Sequence, residues 1–254
     1  MYYPIQIPYI LSKEFLKHIK YEETTFKELS DFVICFWEMI PLTQEQKQVD
    51  NIIIADGCTD LVVDFDSKTI GFSGMENTNF NFPIYLPNRF IGVRFMPGAL
   101  KQLTGISANK FMDEFLPINN FDPSFDDNYF FNLTFEEAKD FLISYIKKMI
   151  GDKKPNEYTR LFNKLLVQLP IEANEVYRML HLSPRQCQRI FKTQFGLSPK
   201  KVLSIIRFQK CLKDLLTNNN FANDTSYYDQ SHFINDFKKN IGITPLELIN
   251  IYQR

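Results

Sequence analysis

The chain has 254 residues, of which 44% are hydrophobic and 23% are charged, a balance typical of globular proteins and not of disordered ones. No apolar run reaches the roughly 18 residues that a membrane-spanning helix needs, and the first residues lack the basic start and small-residue cleavage site of a signal peptide. We therefore expect a cytoplasmic globular protein.

The net charge of −1 hides an uneven distribution of charge along the chain. Residues 1–152 contain 13 basic and 22 acidic side chains, whereas residues 153–254 contain 16 basic and 8 acidic ones. A basic C-terminal part favours a polyanionic partner such as nucleic acid, although a chance distribution of solvated charge is the alternative. Because the sign changes near Asp152–Pro155, we predict one domain over 1–152 and a second over 153–254.

The region 31–96 is rich in short runs of β type. It follows a mixed segment in which a helix is predicted within Ser12–Lys20. Turn residues such as Asp56-Gly57-Cys58 and Pro87-Asn88 separate the runs. Short strands joined by tight turns predict an antiparallel barrel or sandwich. The runs are NIIIAD (51–56), TDLVVDF (59–65), TIGFSG (69–74), NFNFPIYL (79–86) and RFIGVRF (89–95).

The region 99–150 is predicted to be mainly helical. Short helices are expected over 99–105 and 108–116, and an acidic loop over 117–132. With the β-rich region before it, this pattern predicts an α+β chain whose N-terminal domain is an antiparallel β barrel or sandwich with helices.

One longer helix is predicted to begin at Thr134 and to end at Gly151. Thr134 and Glu137 have the spacing of a capping box, which marks a helix start. The apolar stripe of this helix could form a dimer seam or pack within the chain, and the sequence leaves both alternatives open. The stripe consists of Phe135, Ala138, Leu142, Tyr145, Ile146 and Met149.

The C-terminal third contains an internal repeat with an offset of 46 residues. Phe191-Lys192 precedes Gly196-Leu197-Ser198-Pro199, and Phe237-Lys238 precedes Gly242-Ile243-Thr244-Pro245. A repeated unit of this kind predicts two copies of one small helical device. We therefore expect the second domain to be all-α.

The first copy has the layout of a helix-turn-helix. A helix predicted over Glu172–Leu180 is followed by a second helix that begins at Ser183-Pro184, because Ser caps helices and Pro suits the first turn. A period of 3.6 residues places Cys187, Ile190 and Phe191 on one face and long polar side chains on the other. The polar face consists of Arg185, Gln188, Arg189 and Lys192. The alternative to a binding role for this face is an ordinary solvated helix surface.

These polar side chains suit the major groove of DNA. Arginine binds guanine edges and glutamine binds adenine edges, whereas Lys192 suits a phosphate. The second copy is less basic, so its direct readout should be weaker. Its helix is predicted to be capped by Asp229, and its outer face carries Ser231, Ile234, Asn235 and Lys238.

A long helix predicted over Pro199–Leu216 would join the two copies rigidly. Such rigidity sets the spacing between two recognition helices in successive grooves. Its packing positions are Val202, Leu203, Ile206, Leu212 and Leu215, and its basic positions are Lys200, Lys201, Arg207, Lys210 and Lys213.

The segments SPRQCQRIFKTQFGLSPKKVLSIIRFQKCL and YYDQSHFINDFKKNIGITPLEL resemble the DNA-binding domain of AraC/XylS-family transcription regulators over about residues 170–250. The segments FVICFW, ADGCTDLVVDF and GVRFMPGALKQLTG are similar to the cupin-like sensor domains found ahead of it. The resemblance implies a sequence-specific, DNA-binding transcription regulator with a sensor or dimerisation domain over 1–152. It implies double-stranded DNA as a partner and is compatible with a small-molecule effector and a homodimer. The base contacts that it implies are Arg185, Gln188 and Arg189, then Ser231, Ile234 and Asn235.

The second unit departs from the family pattern in two ways. Asn218–Ser226, where its first helix should lie, is poor in helix formers, and Asn235 stands where relatives commonly have Arg. We therefore expect the first unit to dominate DNA affinity. The alternative is a ligand-binding or protein-interaction regulator whose degenerate second unit leaves it with weak DNA binding or none.

An enzyme built on the first domain is the least favoured hypothesis. Residues 1–152 contain only His18, so a cupin metal site lacks ligands, and the four cysteines form no CxxC pair. Asp56, Asp60 and Asp64 could contribute to an acid–base site, but no partner base or nucleophile is evident. Turn and edge-strand roles are therefore favoured. We expect no catalytic residues, no metal and no other cofactor.

Four further side chains have a structural and a functional interpretation. Trp37 could line a pocket, but core packing is favoured. Cys58 could be a redox sensor, but no adjacent cation supports a thiolate. His181 and His232 could be ligands, but structural roles are favoured.

Overall fold

The computed structural model describes residues 2–5, 12–74, 79–112, 114–218 and 230–252. It confirms the α+β class, with a β-rich N-terminal part and a helical C-terminal part. No helix in these ranges combines the length and apolar character that a bilayer crossing requires.

The N-terminal strands are antiparallel and lie in three sheets. The described strands are β1 (Ile19–Thr24), β2 (Val33–Pro41), β3 (Lys47–Val49), β4 (Ile52–Ile53), β5 (Thr59–Asp64), β6 (Thr69–Ser73), β7 (Phe80–Asn81), β8 (Ile84–Leu86), β9 (Phe90–Phe95) and β10 (Phe115–Pro117). Six form one sheet in the order β1-β2-β9-β5-β6-β10, whereas β3 pairs with β8 and β4 pairs with β7. The two small ribbons are not hydrogen-bonded to the large sheet, and the predicted antiparallel β-rich domain is confirmed.

Helices make up most of the described C-terminal part, and further helices lie in the N-terminal part. They are α1 (Phe15–His18), α2 (Leu100–Thr104), α3 (Asp127–Phe131), α4 (Phe135–Ile150), α5 (Glu157–Gln168), α6 (Ala173–Met179), α7 (Pro184–Phe195), α8 (Pro199–Asn218), α9 (Gln230–Ile241) and α10 (Pro245–Tyr252). Short 3-10 helices lie at Lys27–Leu29, Ala108–Lys110 and Ile118–Asn120.

Strand β9 lies at the centre of the large sheet and is buried along its whole length. It pairs with β2 on one side and with β5 on the other, so Gly92 lies opposite Trp37 and Arg94 lies opposite Asp60. A Cβ atom at Gly92 would lie 2.3 Å from the Trp37 ring. Glycine at this position therefore lets the indole lie across the strand.

Strand pairing overrides some of the predicted helices. The helix predicted within Ser12–Lys20 is limited to α1, because the residues after it form β1 and pair with β2. The helix predicted over 108–116 is wrong: after one 3-10 turn the chain becomes β10, which pairs with β6. The predicted loop over 117–132 contains α3, whose N-terminus is capped by the Asp126 side chain.

Helix α4 begins and ends as predicted, with a complete capping box between Thr134 and Glu137. Its apolar stripe packs inside the chain: Ala138, Leu142 and Ile146 are at most 1% exposed. The remaining stripe residues are partly buried against the same core. The stripe therefore packs within the chain, which is one of the two alternatives that the sequence leaves open.

The core continues across the predicted boundary at Asp152–Pro155. The ring of Tyr2 meets the edge of the Phe162 ring at 5.0 Å between centroids. A Cβ atom at Gly98 would lie 2.9 Å from the ring of Phe195, the last residue of α7. Helix α7 thus rests directly on the N-terminal part of the chain.

Candidate nucleic-acid interface

Helices α6 and α7 form the predicted helix-turn-helix. Both begin with a capping box, Glu172 with Glu175 and Ser183 with Gln186, which satisfies the free amide groups of the first turns. The turn between them contains His181 at a φ of 53°. His is one of the residue types that tolerate this left-handed conformation.

Helix α7 has one buried face and one exposed face. Cys187 and Phe191 are fully buried and dock the helix on the core, as predicted. Arg185, Arg189 and Lys192 are exposed on the other side, and none of them forms an ion pair with another described residue. We call these three side chains the cationic ridge. They are held by a docked helix and are available to an external anion.

Gln188 lies beside the cationic ridge and is half-buried. Its Nε2 donates a hydrogen bond to Tyr177 Oη on α6 at 3.2 Å. Sequence analysis placed Gln188 on the reading face but missed Tyr177. The signal for Tyr177 in the sequence is a long polar side chain on the first helix of the unit, within reach of the second helix.

Helix α8 connects the two units, and all five of its predicted packing positions are buried. Among the predicted basic positions, Arg207 is buried: it is 6% exposed, and its Nη1 donates to the carbonyl oxygen of Ile171 at 2.8 Å. Lys201 is half-buried, with its Nζ 2.8 Å from Asn240 Oδ1, and burial lowers the pKa of Lys201 to about 8. The exposed basic positions of α8 are Lys200, Lys210 and Lys213.

The two copies of the repeat have the same local structure. Gly196 and Gly242 both have left-handed φ values, 69° and 88°, where the helix before each of them ends. A new helix then begins at Pro199 and at Pro245. The 46-residue offset therefore reflects a repeated helix–glycine–helix device, as predicted.

Helix α9 is the counterpart of α7 in the second unit. Phe237 is fully buried and meets the Phe208 ring at 5.3 Å between centroids. Ser231, Asn235 and Lys238 are exposed, and Ile234 is partly buried. The cap predicted at Asp229, residues 219–226 and the His232 side chain lie outside the described residues.

The described reading face of α9 carries less charge than the cationic ridge. Its predicted members include one cation, Lys238, with Lys239 beside it. The ridge on α7 has three cations in two helical turns. The expected difference in basicity between the units is thus present in the structure.

A second site lies in the N-terminal part, as a cavity of about 470 Å³. It is lined by residues of the large sheet and of the β4–β7 ribbon, among them Trp37, Ile53, Asp60, Phe80 and Arg94. Trp37 is 8% exposed, so it packs in the core and also lines the cavity. Both interpretations of this residue therefore hold.

A buried ion-pair network forms one wall of the cavity. Asp60 accepts hydrogen bonds from Arg94 Nη2 at 3.0 Å and from Trp37 Nε1 at 2.9 Å. Arg94 also lies within 3.5 Å of carboxylate oxygens of Asp56 and Glu23. Burial raises the pKa of Asp60 to about 6, although Arg94 opposes the shift. The edge-strand role predicted for Asp60 is wrong, because β5 is an inner strand.

The cavity wall also touches helix α8. Gln209 is 5% exposed; its Nε2 donates to the carbonyl oxygen of Ala55 at 3.2 Å, and its Oε1 accepts from the Ile5 amide at 2.7 Å. Ile54 packs in one apolar cluster with Phe208 and with residues of α9. Residues 54–55 therefore line the cavity and contact the helix that joins the two units.

Comparisons with known proteins match two separate segments of the chain to families. Residues 176–250 match a family described as a helix-turn-helix domain, and residues 25–117 match a family described as a domain of unknown function, DUF6597. No curated protein matches the sequence. ToxT from Vibrio cholerae is similar in structure, with 11% identity over 92% of this chain and 98% of that chain and a TM-score of 0.42. ToxT from Vibrio cholerae O395 has 12% identity, the same coverage and a TM-score of 0.39.

Proposed function

We propose that the chain is a DNA-binding transcription regulator with an AraC-type helix-turn-helix domain, and that the cationic ridge of α7 supplies most of its DNA affinity. The observation that supports this proposal is the geometry of α7. Cys187 and Phe191 fix the helix to the core, while Arg185, Arg189 and Lys192 extend from the opposite face without competing partners among the described residues. Such a helix can enter the major groove while the rest of the fold stays outside.

Each side chain of this face is given a role that suits its chemistry. Arg185 and Arg189 would bind guanine edges, and Gln188 would bind an adenine edge while Tyr177 holds its amide. Lys192, a compact flexible cation near the end of α7, would bind a phosphate. The domains in this proposal are a sensor domain over 1–152 and a DNA-binding domain over 153–254.

The second unit would add contacts from Ser231, Ile234, Asn235 and Lys238. Asn235 can pair with adenine and Ser231 can reach a base edge, but a single cation supplies less electrostatic attraction than the ridge. We therefore rank the second unit below the first. The alternative is a ligand-binding or protein-interaction regulator whose second unit is degenerate and which binds DNA weakly or not at all. The following experiment distinguishes the two.

The test begins with the purified full chain, which selects bound fragments from genomic DNA at low salt. Binding of the selected duplex is then measured for the wild type, Arg189→Ala and Asn235→Ala. Loss of a bidentate arginine–guanine contact should weaken binding by roughly 5- to 150-fold, equal to about 1–3 kcal/mol. Asn235→Ala should have a smaller effect. Arg160→Ala, which removes an exposed arginine from α5, is the matched control for charge.

A greater loss from Asn235→Ala than from Arg189→Ala would contradict the ranking of the two units. Equal losses of DNA affinity from Arg189→Ala and Arg160→Ala would show that the ridge contributes only general charge attraction and no specific contact. If the wild type selects no duplex at low salt, the weak-binding alternative replaces the proposal.

We further propose that the cavity of the N-terminal domain holds a small-molecule effector. Residues 54–55 line this cavity and contact α8, so a ligand that shifts them would act on the helix between the two units. We assign effector binding to the cavity; its lining thiol, Cys58, is a poor nucleophile because burial raises its pKa. Action on DNA fits the cytoplasmic location expected from the sequence.

A further inference from the structure

We propose that the effector is an organic cation, an amine or amidinium group on an aromatic or apolar body. This inference rests on the proposed sensor role of the N-terminal cavity and adds the chemical class of the ligand. Three features of the cavity support it: aromatic walls, an excess of carboxylates and a buried acceptor without a partner.

The walls of the cavity are rich in aromatic rings. A volume of about 470 Å³ lies in the range of small-molecule pockets, and the lining is predominantly apolar. Ring faces attract cations through their electrostatic quadrupole, most strongly when the cation is out of water. The aromatic lining residues are Tyr21, Trp37, Phe80, Phe82, Phe90 and Phe115.

The polar groups of the cavity carry an excess of negative charge. Asp56, Asp60, Asp64 and Glu114 are the acidic residues of the described lining, and Arg94 is its one basic residue. Arg94 is fully engaged, because it contacts Asp60, Asp56 and the nearby Glu23. An added anion would have to displace a carboxylate from Arg94. An added cation would instead be attracted, because the described lining has four carboxylates and only one cation, Arg94.

Asn51 provides the independent observation that a ligand belongs in this cavity. It lines the cavity, is 2% exposed, and its Oδ1 has no hydrogen-bond partner among the described residues. A buried acceptor without a partner is costly, so such atoms are normally satisfied in the functional state. An ammonium or amidinium group supplies several N–H donors, which a carboxylate ligand lacks.

The test uses three probes that share a phenylethyl body and differ in charge: phenethylamine, phenethyl alcohol and phenylpropionate. Trp37 is the single tryptophan of the chain and donates to Asp60, so its fluorescence reports on the cavity directly. We expect phenethylamine to change the Trp37 emission saturably, with an affinity at least about tenfold above that of the alcohol. Phenylpropionate should give no saturable change.

Two variants test whether the cation occupies the cavity. Asn51→Leu removes the unpaired acceptor at similar volume, and Phe82→Ala removes a ring that is 41% exposed, so the fold should tolerate both. Each should lower phenethylamine affinity at least about threefold. Tyr85→Ala is the matched control, because Tyr85 lies in the same part of the chain, is 62% exposed and does not line the cavity. It should bind like the wild type.

Tighter binding of phenylpropionate or of the alcohol than of phenethylamine would overturn the inference, and so would equal effects of Phe82→Ala and Tyr85→Ala. The fluorescence titration contains no DNA. A failure of cation binding therefore counts against the ligand class alone, whereas a failure of the full chain to select any duplex counts against the regulator function alone.

Discussion

Gln188 and Tyr177 join the recognition helix to its scaffold helix through a hydrogen bond of 3.2 Å. The bond uses one of the two N–H groups of the Gln188 amide, so the second N–H and the Oε1 remain for a partner outside the protein. These are the two groups with which glutamine binds the edge of adenine. The scaffold helix thus orients the side chain that we propose as a base-reading group, besides supporting α7 by packing.

Tyr177→Phe should reduce discrimination between the selected duplex and random duplex. The change removes one hydroxyl group and frees the Gln188 amide, at a cost of about 0.5–1.5 kcal/mol. We expect binding of the selected duplex to weaken by roughly 3- to 10-fold, with unchanged binding of random duplex. The measurement is the ratio of the two dissociation constants. Tyr158→Phe on α5 is the control, and an equal weakening on both duplexes would show that Tyr177 does not orient a reading group.

The parts of the fold that sequence analysis predicted well are specified by local residues. The capping box at Thr134 and the helix start at Ser183-Pro184 are local signals, and both are present. The repeat places Gly196 and Gly242 at helix ends, and both adopt the left-handed conformation that glycine favours. Helices that such signals define were therefore located correctly.

The features that sequence analysis missed depend on contacts between distant residues. Arg94 was not singled out, because its partnership with Asp60 follows from the register of β9 on β5. The burial of Arg207 was not predicted, because the carbonyl group that it binds belongs to Ile171, 36 positions away. Residues 115–117 form a strand because β6 offers them a pairing edge, which outweighs their local helical pattern.

Asp60 should make the stability of the chain depend on pH between about 4 and about 6. Its pKa in the folded state is about 6, above the ordinary value of 3.8, so the folded protein binds more protons than the unfolded chain in this window. The contribution of Asp60 therefore favours folding at low pH and is lost as the pH rises through about 6. Urea unfolding at several pH values should show a smaller decline of stability over this window for Asp60→Asn than for the wild type.

The control for this pH effect is Asp31→Asn, at an exposed aspartate, which should leave the wild-type slope unchanged. The absolute stability of Asp60→Asn will also differ, since Arg94 loses a charged partner, but the slope is independent of that offset. A slope identical to that of the wild type would contradict the shifted pKa of Asp60.

Gln209→Glu should loosen the contact between the cavity wall and α8. A carboxylate cannot donate to the carbonyl oxygen of Ala55, so the change turns an attraction into a repulsion in a buried place. We expect a loss of about 1–3 kcal/mol in the free energy of unfolding. Lys210→Glu, at the exposed neighbouring position, is the control. An unchanged free energy of unfolding in Gln209→Glu would show that the hydrogen bond from Gln209 to Ala55 does not tie the two parts together.

The most direct test of the account asks which atom of the duplex the cationic ridge touches. Guanines of the selected duplex are methylated at N7, and bound and free fragments are separated for the wild type, Arg185→Ala and Arg189→Ala. The account predicts that methylation at particular guanines blocks the wild type, and that each variant becomes insensitive at one of them. If the same guanines block all three proteins equally, or none blocks the wild type, the claim that α7 reads the major groove through its arginines is contradicted.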